Sequence, residues 1–195
     1  MKTWTHPQKI RARADTILSL GPVAGQYWSM AGLCDGPGCE VVQVLRAGII
    51  GPEQFHGVEI QRDIYDANRA AWPHLHWHCG DFLQVMRDCG DFHPGLVNAD
   101  TMNMIDTAAN RVARLLYLLV PHPQATLVVN LVMEHRGHCT TADEVIDQLM
   151  EQPLFQYAVN RGWSHDGRCY HYPGARPRPR TVMGTFVFRH RENRQ

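Results

Sequence analysis

From Gln26 onward, apolar runs and helix-spaced segments alternate five times, and that alternation leaves few folds open to the chain. "QYWSMAGL", "EQFHGVEI", "HLHWHCGD", "FHPGLVNAD" and "ATLVVNLVM" read as strands. A helix from Cys39 to about Gly48 follows the first, and "RDIYDANRAAW" follows the second, with Ile64, Ala67, Ala71 and Trp72 on one side. "FLQVMRDCG" is a short helix closed by glycine, and "DTAANRVARLLYLLV" is the clearest helix of all, stopped by Pro121. "TADEVIDQLMEQ" opens on a threonine with a glutamate three residues on, the signature of a capped start. Five β-then-α units predict an α/β fold of three layers, a mostly parallel sheet with helices on both faces. The end breaks the pattern. "GRCYHYPG", "ARPRPR" and "TVMGTFVFRHR" read as strand, turn and strand, with Val182, Gly184, Phe186 and Phe188 on alternate positions. The sheet is therefore expected to have seven strands and to finish in an antiparallel hairpin.

A chain of 195 residues is most simply one domain, here an N-terminal helical extension over 1–25 and a core over 26–190. The longest apolar runs, "ARLLYLLV" and "ATLVVNLVM", fall well short of the roughly 18–20 residues that span a bilayer. "MKTWTHPQKIRARAD" has no apolar stretch of the kind a secretory signal needs. The six cysteines are scattered without a C-x-x-C pair, which suits free thiols in a reducing cytoplasm. Net charge is zero, but unevenly assembled: +4 over residues 1–13, +6 over 161–195 and −10 between. Basic ends on an acidic body suit an anionic partner such as nucleic acid, and equally suit solvated tails.

In open α/β sheets, ligands sit beyond the carboxyl ends of the strands, and the first strand–helix turn is the usual place. Here that turn is "LCDGPGCEVV". A dinucleotide turn needs G-x-G-x-x-G, so that a pyrophosphate can rest on backbone N–H groups. Gly36 and Gly38 fill the first two positions, but Val41 stands at the third, and Asp35 and Glu40 flank the turn. At about 4–6 Å a carboxylate repels a phosphate by several kcal/mol in a half-dry cleft. NAD and FAD are disfavoured, and with them a nicotinamide-dependent oxidoreductase. A ligand with a cation and no phosphate is favoured, and S-adenosylmethionine has that chemistry. Glu59 ends the second strand, 23 residues beyond Gly36, about where an acid accepts both ribose hydroxyls. Asp81 ends the third strand in "CGDF", where a carboxylate can accept from an adenine amino group.

With these motifs in this order, residues 26–190 resemble the class I, Rossmann-like S-adenosylmethionine-dependent methyltransferases. The resemblance rests on "DGPG", "GVEI", "GDF", "VNAD" and the terminal hairpin. It implies that Asp35, Gly36 and Gly38 hold the methionine moiety, Glu59 with Ile60 beside it the ribose, and Asp81 with Phe82 the adenine. Asn98 and Asp100 would face the transferred methyl, although "NADTMN" also suits a cap for the next helix. The fourth-strand motif is not the Asn/Asp-Pro-Pro-aromatic form used on base amino groups, and no Pro-Cys nucleophile stands there. The implied activity is methyl transfer to a small molecule or a nucleic acid. The alternative is a binding module that keeps the fold without catalysis. No membrane partner is expected.

Five of the twelve histidines fall in two clusters. His74, His76 and His78 share one face of the third strand, and "HRGHC" brings His135, His138 and Cys139 together. Neither cluster has a familiar metal-ligand spacing, so no metal site is expected. Arg176, Arg178 and Arg180 ride the hairpin loop, which suits an exposed, solvated turn and equally suits gripping a polyanion through charge alone.

Overall fold

Seven strands form one sheet, side by side in the order His76–Cys79, Phe55–Glu59, Gln26–Met30, Pro94–Met104, Thr126–Val132, Thr181–His190 and Trp163–Tyr172. The computed structural model describes residues 15–34, 39–135, 138–139, 141–172 and 181–193. The described residues gather into two compact units, 1–98 and 99–195. Strands β1 (Gln26–Met30), β2 (Phe55–Glu59), β3 (His76–Cys79) and β4 (Pro94–Met104) come from the first four expected units, and β5 (Thr126–Val132) from the fifth. The β1–β2, β2–β3 and β1–β4 pairs are parallel. Strand β9 (Thr181–His190) runs antiparallel to both β5 and β8 (Trp163–Tyr172). This is the mostly parallel seven-stranded sheet with a terminal hairpin that the sequence predicts.

In the first unit, Tyr27, Trp28 and Phe55 have no exposed surface. Helix α1 (Glu40–Arg46) follows β1 and buries Val41, Val42 and Val44. Helix α2 (Arg62–Ala71) turns a different face inward from the one its apolar spacing suggests. Tyr65 and Asn68 are its buried residues, while Ala67 and Ala71 are exposed. Alanine loses little when left in water, whereas Asn68 is buried because both ends of its amide are hydrogen-bonded. Helix α3 (Phe82–Asp88) follows β3 and buries Phe82, Leu83 and Met86. Gly57 lies against the Trp77 indole, and a Cβ there would come within 2.4 Å of that ring, so only glycine lets β2 and β3 pair at this level.

In the second unit, helix α4 (Ile105–Leu119) buries eight side chains, from Ile105 through Val112 and Leu116 to Leu119. Helix α5 (Ala142–Met150) has the expected capping box: Glu144 N–H donates to Thr141 Oγ1 at 3.2 Å, and Thr141 N–H donates to Glu144 Oε2 at 2.6 Å. A further helix, α6 (Pro153–Asn160), carries no strong periodic signal in the sequence, yet Pro153 opens it and Phe155 and Ala158 are buried. On β9, Gly184, Phe186 and Phe188 of the expected alternate set are buried, and so is Thr185 between them. Within this unit Asn130 ties β5 to β9, its Oδ1 accepting from Thr185 Oγ1 at 2.7 Å. Glu134–His135 (β6) and His138–Cys139 (β7) pair as a short antiparallel ribbon. The hairpin loop with Arg176, Arg178 and Arg180 lies outside the described residues, as does the basic segment 1–14. No helix among the described residues is long and apolar enough to cross a membrane.

The inward face of α2 is directly testable. Ala67→Lys is expected to change unfolding free energy by less than about 0.5 kcal/mol, and Leu116→Ala to lower it by about 2–5 kcal/mol, both read by urea denaturation. A large loss in Ala67→Lys would restore the face the apolar spacing suggests.

Candidate cofactor site

The parallel strands β1, β2 and β3 end within the first unit, and Glu59, Ile60, Asp81 and Phe82 lie at or just past the ends of β2 and β3. Glu59 is the last residue of β2 and is 9% exposed. Its Oε1 accepts from the Gln61 N–H at 2.8 Å, which fixes the carboxylate at the start of α2. Burial pushes this carboxyl above its ordinary range, and the backbone N–H groups of Gln61 and Ile60 pull partly against that rise. The carboxylate is thus held in place and short of solvent, the condition under which it gains most from a hydroxyl donor. Beside it the aliphatic Ile60 is 66% exposed, an open apolar surface.

Asp81 stands just past β3 and caps α3, its Oδ1 accepting from Gln84 N–H at 3.1 Å. Phe82 is 4% exposed and sits on the inner face of that helix. Strand β4 runs on through Met104, so Asn98 and Asp100 lie within a strand and not at its end or in a helix cap. Asn98 is paired in register with Ser29 and is fully buried. Its Nδ2 donates to the Tyr27 hydroxyl at 3.4 Å. Asp100 is half-buried and belongs to the second unit. Asp35, Gly36 and Gly38 lie outside the described residues.

Glu40 departs from its sequence reading. Sequence alone attributes its charge to a cationic ligand, but the side chain turns inward. Its Oε1 accepts from the Tyr27 hydroxyl and, at 2.9 Å, from Ser29 Oγ. Two hydroxyls on one face of β1 draw the carboxylate into the core, because a buried charge needs such donors. The acid therefore braces α1 against β1 from within.

The exit from β1 is also held from the side. Asn68 Oδ1 accepts from Cys34 N–H at 2.8 Å, and its Nδ2 donates to the Gly32 carbonyl at 3.0 Å. One turn along α2, the Trp72 indole N–H donates to the Cys34 carbonyl at 3.0 Å. Trp77 Nε1–H in turn donates to the Trp72 carbonyl at 3.0 Å. Sequence reasoning missed Asn68 altogether. The available signal is an amide side chain at a helical position between Tyr65 and Trp72, where an apolar residue would be expected.

No protein-family model matches this chain, and no curated protein matches it in sequence. Solved structures match it by shape. The N-methyltransferase NodS from Bradyrhizobium japonicum WM9 aligns over 94% of this chain and 96% of its own, with a TM-score of 0.55 at 11% identity. TYW2 from M. jannaschii, solved in complex with AdoMet, aligns over 97% and 79%, with a TM-score of 0.56 at 12% identity. Precorrin-6y C5,15-methyltransferase from Geobacter metallireducens GS-15 aligns over 97% and 92%, with a TM-score of 0.54 at 12% identity. The fold is that of the class I methyltransferases. Within this methyltransferase fold, Glu59, Ile60 and Asp81 stand at the carboxyl edge of the sheet, where α/β folds bind ligands.

A second cluster lies on the sheet itself. The rings of His56 and His76 stack at 4.8 Å, and the Trp28 indole stacks on His56 at 4.3 Å. His56 Nδ1 and His78 Nε2 are 3.1 Å apart, with ring centroids 5.4 Å apart and planes only 7° apart. Those values describe two nearly coplanar rings meeting head-on through one N–H···N hydrogen bond. A tetrahedral metal would instead need both lone pairs to converge on a point to one side. Among the described residues no group of three His, Cys, Asp or Glu side chains is arranged to hold a metal ion. His74, expected on the same strand face, precedes β3 and packs its ring against Trp72 at 6.1 Å.

Burial, with smaller contributions from His78 and His76, pushes His56 down from 6.5 to about 4. Burial and His76 lower His78 as well. The unfolded chain takes up these protons near pH 6.5, while the folded chain resists them, so stability is full above that pH and declines as pH falls toward about 4. Wild type is expected to lose roughly 2–3 kcal/mol of unfolding free energy to His56 between about pH 7.5 and 4.5. His56→Phe, which keeps a ring against Trp28, should flatten that part of the profile in urea denaturation. An unaltered slope would remove His56 as its source.

Proposed function

We propose that this protein is an S-adenosylmethionine-dependent methyltransferase acting on a small-molecule or nucleic-acid acceptor. The observation that carries the reading is Glu59, a buried carboxylate oriented by the Gln61 N–H at the carboxyl end of β2, with Ile60 open beside it. That donor set fits a ribose diol: the acid accepts two hydroxyl hydrogens, and the aliphatic neighbour offers an apolar surface to a purine. S-adenosylmethionine supplies an electrophilic methyl group on a sulfonium, transferred by in-line displacement. The chain's own part is to bind and align, and alignment accounts for a large share of such a rate. In this reading Asp35, Gly36 and Gly38 hold the amino-acid end, Asp81 and Phe82 border the adenine, and Asn98 and Asp100 border the acceptor. Asp100 is the candidate to take the acceptor's proton. The basic segments at 1–13 and 161–195 support an anionic acceptor, nucleic acid included.

One observation favours a non-catalytic binding module as the second reading. Glu40 is engaged with Tyr27 and Ser29, and among the described residues no other acid stands between Gln26 and Glu40. Formation of S-adenosylhomocysteine from S-adenosylmethionine with candidate acceptors separates the two, since a binding module retains the ligand and turns nothing over.

By calorimetry, S-adenosylhomocysteine is expected to bind at micromolar affinity and NAD not at all. Glu59→Ala should weaken S-adenosylhomocysteine binding by about 1.5–3 kcal/mol, through loss of charge-assisted hydrogen bonds. Unchanged affinity in that variant would put the pocket elsewhere in the chain.

A further inference from the structure

A column of stacked rings crosses the strands of the first unit and runs to its open edge. Trp28 on β1 is in register with His56 on β2, and His56 with His76 on β3. The rings follow that register. The Trp28 and His56 centroids lie 4.3 Å apart with planes at 21°, and those of His56 and His76 lie 4.8 Å apart at 18°. Neighbouring strands are about 4.8 Å apart, close to the spacing at which flat rings stack, so each strand contributes one rung. The column begins at the buried Trp28 and ends on the exposed His76. Strand β3 is outermost in its sheet, and among the described residues no strand lies beyond that last ring.

His76 borders a groove of about 350 Å³, lined also by Tyr65 and Arg69 of α2 and by Trp77 and His78 of β3. Among the described residues none of its lining side chains is acidic. Arg69 meets no carboxylate among them either, and its Nη1 donates to the Tyr65 hydroxyl at 3.4 Å. Arg62, at the other end of the same helix, instead donates to Asp66 at 3.2 Å. The groove thus offers a flat ring, a guanidinium and a phenol hydroxyl, with nothing to repel an anion. A flat ring joined to an anion suits it, and a nucleotide has both parts. Pairing two β3 edges of the same chain would instead set these cation-bearing grooves against one another.

We propose that this groove is a nucleotide-binding site: a base stacks on His76 as the next rung of the column, and Arg69 takes the phosphate. His76 opens β3, whereas Asp81 stands past its far end, so the site is separate from the cofactor edge. It does not depend on the methyltransferase reading. Every base has a flat face, so free nucleotides and unpaired bases of a single strand share the chemistry it recognises.

The test is fluorescence anisotropy of a short labelled oligouridylate at low salt, competed by uridine 5′-monophosphate and by inorganic phosphate. His76→Ala is expected to weaken the oligonucleotide about five- to a hundredfold, and His76→Phe to stay within about threefold of wild type. Arg69→Gln should lower the slope of log K against log salt by about 0.7, whereas Arg62→Gln leaves it unchanged. His76 and Arg69 are both exposed, so these substitutions leave the core intact. Competition by uridine monophosphate supports a site for free nucleotides, and its failure while the oligonucleotide binds supports one for a strand. Inorganic phosphate competing as well as the monophosphate, or His76→Ala binding like wild type, overturns the stacking site. Wild type that binds neither uracil probe overturns it too, and self-association lost in His76→Ala would then give this edge to a second copy.

Discussion

The hydrogen bonds that Asn68 makes to Gly32 and Cys34 fix the chain where it leaves β1 in the first unit. A chain leaving a parallel strand loses its ladder partners, and its peptide groups must find others or face water. Here α2 supplies them, through one amide and one indole. The consequence reaches past the loop. Because α2 begins three residues beyond Glu59, holding residues 32–34 also holds that acid in a fixed relation to the β1 exit.

Two acids near that edge show how burial and donors divide similar side chains between roles. Glu40 is closed in by Tyr27 and Ser29, whose hydroxyls take up its Oε1, and it braces α1 against β1. Glu59 is equally buried by area, the donors it meets among the described residues are the backbone N–H groups of Gln61 and Ile60, and its carboxyl is raised by desolvation. A carboxylate with less than its full set of donors is the one that gains from a ligand's hydroxyls. The distinction depends on which hydroxyls reach each acid and not on sequence distance from the glycines. Similar logic governs the histidines. His56 and His78 satisfy one another edge to edge beneath the Trp28 ring system, which makes them a neutral, acid-sensitive part of the sheet.

The order of elements was legible because apolar spacing carries it directly. Period-two runs and helix-spaced runs alternate five times, and Phe186 and Phe188 mark the hairpin's inward face. Helix α5 was equally plain from Thr141 and Glu144, whose capping bonds are local. The inward face of α2 was not legible, since Ala67 and Ala71 look apolar on paper and a buried asparagine does not. Nor was α6, where eight residues give too few turns for a pattern. Strand β4 runs past Asp100 to Met104, an extent that its side-chain pattern does not carry.

By itself, then, the sequence determined the succession of strands and helices, the hairpin at the end, and the strand-end position of Glu59. All of these follow from periodicity and local turn chemistry, which act over a few residues. Tertiary structure alone decided that Glu40 faces inward, that Phe82 is buried on α3, that His56 meets His78 across two strands, and that Asn68 grips a loop 34 residues away. Each of those depends on which polar groups are desolvated together, and desolvation is settled only when distant segments pack.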